Sequence, residues 1–74
     1  MNNFIKNHLE ILKKNHFENP DIELRALLNK TSKYNKKVIL SNFNINQINF
    51  DLFELAFRRR INNEPLAKIF NEKE

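Results

Sequence analysis

Few side chains in this sequence have the type and spacing to do chemistry, and they are quickly weighed. His8 and His16 stand near the start of the chain, which has no cysteine at all. A zinc site needs three or four ligands at matched spacing. Two imidazoles do not supply them, so both are read as surface or half-buried side chains. The acids are dispersed, with no pair in an apolar setting that would separate into a general acid and a general base. No catalytic residue is assigned to this chain. The densest charge is Arg58-Arg59-Arg60 in a chain of net charge +4, a pattern that raises nucleic acid as a partner. Consecutive helical residues point about 100° apart, however, so the three do not form one groove-facing stripe. Arg58 falls on a wet face. Arg59 and Arg60 leave an otherwise apolar arc near its C-terminal end, where they snorkel, offset the helix dipole or meet something outside the bundle. Lys13-Lys14, Lys30, Lys33, Lys36 and Lys37 are scattered over loops and helix ends, which argues against a nucleic-acid-reading helix.

Composition narrows the classes further. With 74 residues there is room for one small domain, and not for a cofactor-binding α/β domain as well. There is no glycine, and phosphate cradles, dinucleotide loops and nucleophile elbows need residues without a Cβ. The isolated chain is therefore expected to bind no nucleotide-like cofactor, and no cofactor is assigned to it. The missing cysteines fit a reducing compartment. No apolar run is long enough for a signal peptide or a membrane span, so a cytoplasmic protein without a membrane partner is expected. The fourteen asparagines fit an AT-rich codon preference and carry no functional weight individually.

The elements that must position these residues read as helices. Ile5, Leu9 and Leu12, with Phe4 and Phe17 alongside, give one helix face over residues 3 to 17. Asn19-Pro20-Asp21 breaks that helix and starts another, whose stripe is Leu24, Leu27, Leu28 and Thr31. Val38-Ile39-Leu40 and Phe43 are expected to form a short third helix, because no partner strand is evident. Residues 46 to 61 look like the central helix. Ile48, Leu52, Leu55 and Ala56 line one side, with Phe50, Phe53, Phe57 and Ile61 beside them. Asn62-Asn63 ends it, and Glu64-Pro65 opens a last short helix with Leu66, Ile69 and Phe70 facing inward. The expected fold is all-α: a compact five-helix bundle of the small orthogonal kind, forming a single domain over residues 1–74.

The segment from Arg59-Arg60-Ile61-Asn62-Asn63-Glu64-Pro65 to Glu74 resembles the end of the N-terminal domain in HemK-type (PrmC) release-factor glutamine methyltransferases. That family has two arginines, two variable residues, Gly-Glu-Pro, a short aliphatic helix, a glycine and a charged stretch. Upstream, Glu23 before Leu27-Leu28 agrees more loosely. Asn63 and Asn71 replace the family's two glycines, and asparagine is the next-best residue for a left-handed helix end. Lys68 stands where the family often has an aromatic residue or His.

The resemblance implies that the chain is the N-terminal substrate-recognition domain of a two-domain enzyme. That enzyme would methylate the glutamine of the Gly-Gly-Gln motif in class I peptide chain release factors. Its S-adenosylmethionine-dependent chemistry would sit in a catalytic domain expected to follow Glu74, one carrying an Asn-Pro-Pro-Tyr motif. The expected partners are the release factor and that methyltransferase domain. Arg59, Arg60, Glu64 and Pro65 are the candidate contact residues. Asn19-Pro20-Asp21-Ile22 only begins like the catalytic motif and is a helix boundary. The alternative readings are a free-standing basic helical module that binds nucleic acid, and a plain protein-interaction domain.

Overall fold

A computed structural model describes residues 2–71. Helix α1 spans Asn3–Lys14 and is capped by Asn2, whose Oδ1 accepts the Phe4 N–H at 2.7 Å. It stops before Phe17 because His16 turns left-handed, at φ 67°. The His16 N–H then reaches the Lys13 carbonyl and the Phe17 N–H the Leu12 carbonyl, the paired bonds of a Schellman turn. The apolar stripe thus outruns the helix by one turn, and Phe17 packs from the connection against the core.

Helix α2, Pro20–Lys30, begins with its proline at the position where a missing N–H costs least. Leu24, Leu27 and Leu28 are fully enclosed, and Thr31 is buried at the helix end. Its hydroxyl donates to the Leu27 carbonyl at 2.9 Å, leaving that buried group satisfied. This is the stripe expected from the sequence.

Among the described residues there are four α-helices, one fewer than expected. The missing one is the short helix placed at Val38–Phe43. Lys36 and Ile39 are extended, and three single 3-10 turns occupy Lys33–Asn35, Leu40–Asn42 and Ile45–Gln47. The physical reason lies in spacing. The buried side chains here are Val38, Phe43 and Ile48, five apart, which on a helix would scatter by about 140° per step. An irregular path brings all three inward, and side chains hold it there. Asn29 Oδ1 accepts the Val38 N–H at 2.7 Å, Asn44 and Gln47 form a reciprocal capping box, and the Asn49 N–H donates to the Thr31 carbonyl at 2.8 Å.

Helix α3 accordingly starts at Phe50, not Asn46, and runs to Ile61 with Asn49 as its cap. It is also less central than its composition suggests. Phe53, Ala56 and Phe57 are buried, but Leu52 and Leu55 are 41% and 53% exposed. Helix α2 packs against both α1 and α3, and the short α4, Leu66–Ile69, packs on α3. Phe4 of α1 stacks on Phe43 of the irregular segment at 5.2 Å and meets Phe53 of α3 at 5.3 Å, well within the range of favourable ring contact. The Cα radius of gyration is 11.6 Å, close to the roughly 11 Å of a compact chain this long. No helix among the described residues is long and apolar enough to cross a membrane.

Candidate functional site

The α3–α4 corner is built from Arg59, Arg60, Glu64 and Pro65. Helix α3 ends as α1 does. Asn63 is left-handed at φ 67°, its N–H bonded to the Arg60 carbonyl and the Glu64 N–H bonded to the Arg59 carbonyl. That turn folds Glu64 back beside the helix. Arg59 then grips the Glu64 carboxylate with both arms of its fork, Nε to Oε2 at 2.7 Å and Nη2 to Oε1 at 3.1 Å. Its Nη1 reaches the Ile69 carbonyl at 3.4 Å. Pro65, in extended backbone, caps α4, and Asn71 closes that helix in the same left-handed way, at φ 53°.

Arg60 faces the other direction. Its Nε and Nη2 donate to the two carboxylate oxygens of Glu23 on α2, at 2.9 and 3.0 Å, and Nη1 donates to the Glu64 carbonyl at 3.0 Å. The guanidinium carbon lies 5.0 Å from the centre of the Phe17 ring, within cation–π range. One side chain therefore joins the α1–α2 connection, α2 and the α3–α4 turn. Bidentate pairing fixes orientation as well as charge. The hydrogen bond to Glu23 raises the Arg60 pKa. The bond from Arg59 holds the Glu64 carboxyl below its ordinary range, while Glu64 raises Arg59.

The four candidate contact residues are thus brought together, with their chemistry turned largely inward. The guanidiniums serve as clasps, and the corner offers neither a general base nor a nucleophile. Arg58, Pro65 and Lys68 are exposed, and the Lys68 Nζ lies 3.9 Å from Glu64 Oε1. Glu23 was visible only through the family resemblance, and Phe17 had no signal beyond its place in an apolar stripe.

The histidines stay apart. His8 Nδ1 lies 2.7 Å from the Phe4 carbonyl oxygen, so it carries the hydrogen and donates. Its ring rests against Phe4, Phe53 and Phe57 at 4.2 to 5.2 Å. His16 is the helix-terminating residue of α1. No group of three or more metal-binding side chains forms among the described residues.

Comparison with protein-family models, with curated proteins and with solved structures finds no match for this chain.

Proposed function

We propose that this chain is the release-factor-positioning domain of a protein-(glutamine-N) methyltransferase of the HemK/PrmC type. In this reading the methyl transfer from S-adenosylmethionine to the Gly-Gly-Gln glutamine occurs on a separate catalytic domain, and the helical domain supplies binding. One observation carries the reading. The two positions where the family places glycine, Asn63 and Asn71, both have left-handed backbone, the conformation for which glycine is the default. The same segment pins its two arginines and Glu64 into one rigid corner. A contact surface held this way loses little conformational freedom on docking, which favours recognition. Arg59, Arg60, Glu64 and Pro65 act in this reading by setting the shape that meets the release factor or the catalytic domain.

The test uses the isolated chain and the full enzyme. A class I release factor titrated into the chain should give saturable heat, and the Arg59→Ala/Arg60→Ala double variant should weaken binding more than Arg58→Ala. Removal of residues 1–74 from the enzyme should raise KM for the release factor and spare kcat, because binding energy remote from the reacting atoms appears mainly in KM. No binding, or a loss confined to kcat, sinks the reading.

A further inference from the structure

The net positive charge is not spread evenly. Between Leu24 and Phe50 the sequence has five Lys or Arg and no Asp or Glu, whereas the rest of the chain holds eight against nine. The whole surplus therefore belongs to the second half of α2 and the irregular segment after it. That segment encloses a groove of about 370 Å³ lined by Lys33, Tyr34, Lys36, Asn44, Asn46 and Gln47 around Val38, a volume in the range of small-ligand clefts. Tyr34 at its edge is 87% exposed.

The backbone of Tyr34 is the second unusual feature. Four described residues have positive φ: His16, Tyr34, Asn63 and Asn71. Three of them terminate helices, where the left-handed turn satisfies backbone carbonyls. Tyr34 does not. It sits inside the Lys33–Asn35 turn at φ 61°, a conformation that costs an ordinary L-residue on the order of 1 kcal/mol. A bulky ring is held out to solvent between two lysines, with no helix end to justify it.

We infer that this groove binds single-stranded RNA, with the Tyr34 ring as a stacking platform for one base and Lys33 and Lys36 on the flanking phosphates. The chemistry fits in three ways. An exposed aromatic between cations is the usual means of holding an unpaired strand, since every base offers a ring face. Lysine ammonium groups neutralise phosphates as point charges. The Asn44 and Gln47 side-chain oxygens already accept backbone N–H bonds in the capping box, which fixes their NH2 groups as the donors left over. With the Asn46 side chain, they suit base edges and the ribose 2′-hydroxyl. The aromatic ring and the amide set favour an RNA strand over an acidic peptide, which has no face to stack. Asp51 lines the adjoining cleft with Lys33 and marks the limit of the basic surface. The inference stands on this loop and does not depend on the methyltransferase reading.

Fluorescence anisotropy with the full chain and a labelled 12-nucleotide uridine-rich RNA tests it. Saturable binding should weaken with salt. Tyr34→Ala should reduce affinity roughly 5- to 150-fold, the usual range for removing one base-stacking ring, while Tyr34→Phe keeps it. Replacing both Lys33 and Lys36 by Gln should flatten the log–log salt slope by about 1.4, two phosphates at roughly 0.7 each. All these side chains are exposed, so an unchanged helical spectrum should accompany each loss. Absence of saturable binding at low salt, equal binding by Tyr34→Ala, or matching affinity for single-stranded DNA, duplex RNA or polyglutamate overturns the proposal.

Discussion

The arginines at the end of α3 and the lysines after α2 carry the same charge and are used in opposite ways. Arg59 and Arg60 sit on a regular helix whose next turn brings Glu64 back beside them, and the packing of α2 brings Glu23 to Arg60. Their charge is consumed within the fold. Lys33 and Lys36 lie on a segment with no acid from Leu24 to Phe50, and they remain exposed beside an exposed Tyr34. A run of three arginines is therefore a weaker sign of a polyanion partner here than the two lysines of Lys33-Tyr34-Asn35-Lys36. What decides is whether the fold supplies a carboxylate at bonding distance.

The largest expected effect comes from breaking the arginine side of this contrast. Arg60→Ala removes a bidentate pair whose side chains are only 20% and 22% exposed, and it strips the Glu64 carbonyl of a donor. A loss of about 2 kcal/mol is expected, between the values for surface and buried pairs. Thermal unfolding followed by circular dichroism should show Tm lowered by roughly 8–16 °C. If Lys36→Ala costs as much as Arg60→Ala, the division into spent and open charge is wrong.

Acid should attack the same corner. The Glu64 pKa is lowered by its bond from Arg59, so its contribution is fully present above the ordinary glutamate value of about 4.3. It is lost as pH falls through the lower folded value. A Glu64→Gln variant should therefore be less stable than the parent at neutral pH and lose less further stability on acidification. Parallel Tm-against-pH curves for the two proteins would remove Glu64 from the account.

On the open side, Tyr34→Asn should raise stability by about 0.5 kcal/mol, because asparagine tolerates the left-handed backbone better than tyrosine does. The same change should weaken RNA binding by about as much as Tyr34→Ala does. Stability gained with binding retained would show that the ring has no task. The smallest expected change is Asn63→Gly, a gain of a few tenths of a kcal/mol in chemical denaturation. Asn63→Ala should instead cost about 1 kcal/mol.

The periodic parts of the chain were readable from the sequence alone. The stripe Leu24, Leu27, Leu28, Thr31 is buried as expected, because 3.6-residue spacing fixes one face whatever lies opposite. The breaks at Asn19-Pro20 and Asn62-Asn63 were also readable, since proline and left-handed asparagine act through their own backbones. Four matters were left to the tertiary structure. Val38, Phe43 and Ile48 reach the core by turns instead of a helix, because burial of side chains five apart outweighed any local preference. The wide apolar arc of α3 is only partly covered, since a helix cannot reveal how many neighbours will reach it. The partner of Arg60 lies 37 residues away, and the groove beside Tyr34 joins residues 33–38 to residues 44–47. Charge and ring chemistry are written in the sequence, but which charge is neutralised depends on distances that only packing creates.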